Sequence, residues 1–219
     1  MPPKPTVIAF DTSAAHCAAA LLLGDRVITR IDEMAKGQAE HLMPMLEDML
    51  RAENLSWRDL DGIGVGVGPG NFTGIRIAVA SARGLALSLG IPAVGVPLLQ
   101  TYAPKAGTVL ALGDARQDRL YAQLYRDGTA QAPIDLTTID ALGLSAPQPD
   151  WQIIGHRAEE VCERLGARGW AARSHVDLTA LARIAADALA AGDVERPAPV
   201  YVRPADAAPS SDPVPVMLD

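Results

Sequence analysis

Aromatic residues make up 4% of this 219-residue chain, and small aliphatic residues stand in their place. That scarcity disfavours a sandwich of large aromatic pairs and predicts sheets covered by small-residue helices, an α/β class. Cysteine is rarer still. Cys17 and Cys162 lie far apart, each beside an apolar run, which excludes a disulfide framework. Positive charge is short as well, with 19 Lys and Arg against 26 Asp and Glu for a net charge of -7. This is the wrong sign for holding a polyanion by neutralising phosphates, so direct nucleic-acid binding is disfavoured. The first residues carry three prolines before a short apolar run, with neither the regions of a signal peptide nor the length of a membrane span. A cytoplasmic protein with no membrane partner is the expectation. Hydrophobic residues at 49% and charged residues at 21% remain ordinary globular proportions.

The apolar runs fall into a readable order. Thr6 to Phe10, Cys17 to Leu23 and Arg26 to Asp32 predict a meander of three strands, its second turn marked by Gly24 and Asp25. From Ala39 the period becomes helical, with Leu42, Leu46, Met49 and Leu50 on one stripe. A strand over Ile63 to Val67, a helix from about Thr73 to Leu89 stopped by Gly90 and Pro92, and a strand over Ala93 to Val96 complete a βββαβαβ unit. Shifted by 102 residues, Thr6, Val7, Ala9, Ala20, Leu22 and Asp25 fall on Thr108, Val109, Ala111, Ala122, Leu124 and Asp127. This weak repeat predicts that the unit restarts with strands at Thr108 to Leu112 and Leu120 to Tyr125. A short strand at Ile153 and Ile154, a helix over Arg157 to Leu165 and a helix over Leu178 to Ala191 follow. The expected division is 1–103, 104–203 and a flexible proline-rich tail, 204–219.

Chemistry concentrates at two strand ends. The segment Gly64 to Gly74 leaves a strand and opens a helix, with Gly68, Gly70, Asn71, Thr73 and Gly74 in its turn. It reads either as a phosphate-binding or oxyanion-binding loop, or as a tight turn against a neighbouring backbone. No Gly-Lys-Ser/Thr follows, so it is not a Walker loop. Asp11, Thr12 and Ser13 end the first strand, where they either hold hydrated magnesium and contact phosphate or merely accept turn amides. His16, His41, His156 and His175 show no i, i+4 pair, which argues against a helix-borne metal site. A nucleophile elbow is likewise missing. Met43 and Met45 on the first helix, with Arg76, Ala78, Ser81 and Arg83 on the second, suggest a partner surface built from both helices.

Several stretches taken together resemble the bacterial TsaB (YeaZ) family. They are Phe10-Asp11-Thr12-Ser13, Ala39-Glu40-His41-Leu42-Met43-Pro44, Gly66 to Arg76, Asp114-Ala115-Arg116 with Tyr121, and Pro199-Val200-Tyr201-Val202-Arg203. The resemblance covers about residues 6 to 203. It implies the duplicated actin-like, Hsp70-like (ASKHA, RNase H-like) fold, here with a reduced second half, and kinship with the paralogous TsaD proteins. It also implies a non-catalytic scaffold and activator in making threonylcarbamoyladenosine in tRNA. Its partners would be a TsaD-type transferase and a TsaE-type ATPase, with a homodimer when isolated and tRNA met only indirectly. No cofactor is expected on the chain alone, and ATP or ADP with Mg only in the complex. Gln38 stands where many members carry a histidine, and no late glycine-rich adenosine loop is present. The alternative is an independent phosphotransferase using Asp11 and the glycine loop.

Overall fold

The computed structural model describes residues 5–103, 105–143, 151–167, 169–192 and 194–202. Arg203 and the expected tail 204–219 lie outside the described residues. In chain order the elements are β1 (Thr6–Asp11), β2 (His16–Leu23), β3 (Arg26–Glu33), α1 (Gln38–Ala52), β4 (Gly62–Gly66), α2 (Phe72–Leu89) and β5 (Ala93–Val96). A short 3-10 helix, Leu98–Tyr102, leads to β6 (Thr108–Asp114), β7 (Arg119–Arg126), β8 (Thr129–Ala130), β9 (Asp135–Thr138), β10 (Gln152–Gly155), α3 (Ala158–Leu165), β11 (Gly169–Ala172) and α4 (Leu178–Ala191).

The first sheet has the order β3-β2-β1-β4-β5 and the second β11-β10-β6-β7-β8, with β9 also on β7. Read from the other edge, the second repeats the first. An antiparallel hairpin carries a parallel βαβ unit on its first strand, β4 on β1 and β10 on β6. The duplication is therefore real, but one stretch of matched letters is not equivalent in space. Ile8 and Leu110, or Phe10 and Leu112, occupy matching places under the helices. Ala20 lies on the α4 face of its sheet while Ala122 lies on the α3 face. The cause is the hairpin register. Val7 pairs with Leu22 whereas Val109 pairs with Tyr125, one residue further along, and a one-residue slip exchanges the faces of a strand.

Alternation explains the core. Ile8, Phe10, Cys17, Ala19 and Leu21 face α1 and α2, and Val7, Ala9, Ala18, Ala20 and Leu22 face α4. Although α4 comes late in the sequence, it packs on the first sheet. Its start is fixed by Asp177, whose side chain accepts from the Ala180 amide at 2.9 Å, and its end by Gly192 in the left-handed region. On the second sheet, α3 covers one face, and Leu99, Tyr102 and Val202 from the connecting segments cover the other.

Two residues expected at a partner surface lie in the core. Met45 is 1% exposed and Ala78 is fully buried. Wedged between β2 and α2, α1 buries a stripe wide enough to take in Met45 beside Leu42, Leu46 and Met49. On α2 the inward stripe is Gly74, Ile75, Ala78, Val79 and Ala82, so Ala78 serves close packing on a sheet that is itself rich in alanine and glycine.

Candidate functional site

Residues at the carboxyl ends of β1, β4, β6 and β10 line one cleft of about 810 Å³, among them Asp11, Ser13, Gly70, Asn71, Asp114 and His156. In α/β sheets this is the usual place for a ligand. Asp11 is fully buried. Its Oδ2 accepts from the Ser13 amide at 3.1 Å and the Ser13 hydroxyl at 2.8 Å, and meets His16 Nε2 at 3.1 Å. Its Oδ1, over Gly66, has no hydrogen-bond partner among the described groups. Thr12 turns away from the cleft, donating its hydroxyl to the Gly74 carbonyl at 2.7 Å.

The glycine turn is packed against this first turn by backbone. The Asn71 amide donates to the Ser13 carbonyl at 2.7 Å, and the Asn71 side chain caps α2 by accepting from the Gly74 amide at 2.9 Å. A Cβ on Gly74 would collide with the Thr12 carbonyl, and one on Gly70 would lie 2.8 Å from Ser13 O. Gly68, at φ +100°, permits the sharp exit from β4. These glycines make room for the chain's own backbone, and the Asn71 and Gly74 amides are already bonded. Those two amides are therefore not free to meet a phosphate. Thr73 sits exposed on the first turn of α2.

Across the cleft, Asp114 ends β6 as Asp11 ends β1, and its Oδ1 accepts from the Arg116 amide at 2.7 Å. Arg116, Gln117 and Asp118 all lie in the left-handed region, an uncommon run for side-chain-bearing residues. His175 reaches from the segment before α4 to Glu33 at the end of β3, with Nε2 at 2.5 Å from Oε1, and its ring lies 5.5 Å from that of His16. Tyr102 Oη donates to the His175 carbonyl at 2.9 Å, and burial pushes this phenol up to about 12. Burial, with Asp32 and Asp11 nearby, raises the Cys17 thiol to about 11, which leaves it an inert core group.

Of the expected interface residues, Arg76 is exposed, while Met43, Ser81 and Arg83 are half-buried. Arg76 stacks over Phe72, 3.7 Å from the ring centroid, and its Nε donates to Tyr201 Oη at 2.9 Å. Sequence reasoning missed His16, Glu33, His175 and Tyr201 as neighbours of the cleft. A signal for the first was available: His16 is the one polar residue opening the run HCAAALLL, and it pairs in register with Glu33.

Two duplicated sheets with a cleft at their strand ends define an actin-like, ASKHA-type protein. An ethanolamine utilization protein EutJ from Carboxydothermus hydrogenoformans shares the fold at a TM-score of 0.50 and 12% identity, over 85% of this chain and 90% of its own. A model for the family described as TsaD, tRNA N6-adenosine threonylcarbamoyltransferase, matches residues 26–147, more than half of the chain. The chain belongs to that family, in its TsaB (YeaZ) branch. The Escherichia coli K12 tRNA threonylcarbamoyladenosine biosynthesis protein TsaB is 34% identical over 128 residues, 55% of each chain. Its Bacillus subtilis 168 namesake is 33% identical over 126 residues, again 55% of each. The matched region thus spans about half the length of these curated relatives. A Pseudomonas aeruginosa structure described as similar to peptidase YeaZ covers 91% of this chain and all of its own, at 29% identity and a TM-score of 0.77.

Proposed function

We propose that this chain is a non-catalytic scaffold and activating subunit in tRNA threonylcarbamoyladenosine biosynthesis, docking a TsaD-type transferase through the outer face of α2. The observation that carries the reading is the state of that helix. Among the described residues α2 alone is long and apolar enough in composition to cross a membrane, yet Arg76, Ala80, Gly84 and Leu87 along it face outward. Leu87 is 86% exposed. Gly84 costs a helix interior about 1 kcal/mol relative to alanine, and nothing among the described residues uses the space, since a Cβ there meets none of their atoms within 4 Å. A glycine whose benefit lies outside its own chain suits close approach by a partner helix. The names of the relatives support the pathway, and kinship with the TsaD family supports a TsaD-type protein as the partner.

The phosphotransferase alternative is poorly supported by the site. The glycine turn is closed against Thr12 and Ser13, and Asp11 Oδ2 is already occupied. ATP or ADP with Mg, a TsaE-type ATPase and tRNA would enter through the assembled complex, and a homodimer through the same face would form when the partner is missing. The test is calorimetric titration of the purified chain with the TsaD-type protein of its own organism. The double variant Ala80→Glu/Leu87→Glu should stay folded by circular dichroism and lose at least about 100-fold in affinity, the effect of two charges placed in a packed contact. Binding undiminished in that folded variant places the interface elsewhere. Steady ATP turnover by the isolated chain, abolished by Asp11→Ala, would favour the enzyme.

A further inference from the structure

Residues 194–202 form neither helix nor strand, so what holds them must be named contact by contact. Pro197 passes over β5, its Cα lying 3.3 Å from the position a Cβ would take on Gly95. The Val200 amide donates to the Val67 carbonyl at 2.8 Å. The Val200 carbonyl lies 3.2 Å from the position a Cβ would take on Gly68. Tyr201 stacks on Phe72 with ring centroids 5.0 Å apart, and its hydroxyl accepts from Arg76 Nε at 2.9 Å. Val200 packs against the core of the first sheet, and Val202 against the Tyr121 and Tyr125 face of the second. The segment is therefore a strap that ties the two halves together, and Val200, Tyr201 and Val202 form part of the cleft wall.

The side-chain hold on this strap is exposed. Arg76 lies on the outer stripe of α2 with Ala80, Gly84 and Leu87, and Tyr201 is 47% exposed. One guanidinium thus borders the outer face of a helix and the wall of a cleft. A phenol offers it a single neutral acceptor. A carboxylate offers two charged ones in a geometry that matches the guanidinium fork, which adds a second bond and the attraction of opposite charges to what the phenol gives. A ligand shifts a conformational equilibrium only through its preference for one state over the other, and here the preference has a definite source.

We propose that Arg76 is a latch: an acidic side chain of a protein docked on α2 takes its guanidinium, releases Tyr201, and loosens the strap that walls the cleft. This rests on the docking reading of α2 given above. Coupling of this kind is reciprocal, so whatever widens the cleft also strengthens docking.

Hydrogen–deuterium exchange of the peptide containing Val200 tests the two parts separately. In the free chain, Tyr201→Phe keeps the ring stack and removes the acceptor; the Val200 amide should exchange about tenfold faster, the effect of one lost charge-assisted bond. Arg83→Ala, on the same helix but away from the strap, should leave it unchanged. Unaltered exchange in Tyr201→Phe overturns the latch. With the TsaD-type protein added to saturation, binding being measured independently by calorimetry, the Val200 amide of the unmodified chain should speed up by a similar factor. In Arg76→Ala it should already be fast when free and gain nothing on docking. Slowed or unchanged exchange in a demonstrated complex overturns the coupling and leaves the docking reading standing. Failure to bind at all overturns the docking reading and with it the trigger, while the free-chain measurement still judges the latch.

Discussion

The two halves share one strand order and differ in what closes them. The first sheet is sandwiched, α1 and α2 on one face and α4 on the other, and nearly every inward residue is aliphatic. Among the described residues, the second has the short α3 as the one helix on its first face, and its other face rests on Leu99, Tyr102 and Val202, with Tyr121 and Tyr125 filling the gap. One face of the second sheet is thus covered largely by connecting segments. Aromatics, so scarce in the chain, are used where helices are lacking: burial raises the phenols of Tyr102, Tyr121 and Tyr125. The difference teaches that duplicated sheets remain recognisable after the elements covering them have been exchanged.

The contrast is broken most directly at equivalent positions. Phe10→Ala should destabilise the chain by about 3–5 kcal/mol, and Leu112→Ala, its counterpart on β6, by about 2–5 kcal/mol and less than Phe10→Ala. Urea unfolding of both checks the order; a larger loss at Leu112 would mean that the second core is the better packed. Next come two glycines of one helix. Gly74→Ala drives a methyl into the Thr12 carbonyl, an overpacking that should cost about 1–3 kcal/mol. Gly84→Ala meets open space and should raise stability by about 0.5–1 kcal/mol, read as opposite shifts in thermal midpoint.

A smaller effect distinguishes the helices that close the two sheets. Asp177→Ala removes the side-chain cap of α4 and should cost about 1 kcal/mol. By contrast α3 follows Arg157 and has no such cap to lose, so Arg157→Ala should cost less in the same titration. Smallest is an acid-sensitive tie between β3 and α1. Arg30, by hydrogen bonding at 2.8 Å, and then His41 hold the Asp32 carboxyl below its ordinary value of 3.8. Its folded value is the lower one, so its contribution is complete above about pH 4 and is lost as pH falls through the folded value. For this partly exposed pair it should stay under about 1 kcal/mol. Comparing Asp32→Asn with the unmodified chain between pH 3 and 6 measures it: the two curves should converge at the acid end.

Elements bounded by strong local signals were legible. The sequence reading placed β5 and α4 at their observed limits, where Pro92 and Gly192 punctuate clean apolar runs. Short strands paired at one edge, such as β11 with its GWAA, were not, because four residues without alternation carry no period. The repeat was readable as a duplication and misread in detail. Gly24-Asp25 and Asp127-Gly128 are both two-residue hairpin turns, but matching Asp to Asp sets β7 one residue out of register. An ideal helix stripe is narrow and puts Met45 and Ala78 on the outer side, whereas packing on two sides widens the buried stripe to take them in. In the site, Asp11, Ser13, Gly70 and Asn71 were visible as strand-end chemistry. His16 and His175 were not, since their proximity depends on a segment 159 residues away returning over the first sheet.

That return has a temporal side. Val7, Ala9, Ala18, Ala20 and Leu22 await Leu178, Leu181 and Ala185, so the ribosome must add roughly 95 residues after β5 before the face is covered. At about 5–20 residues per second, the nascent sheet keeps an alanine-rich apolar face open for about 5–20 s. During vectorial synthesis the first half is thus the earliest part of the protein to be made and among the last to be finished.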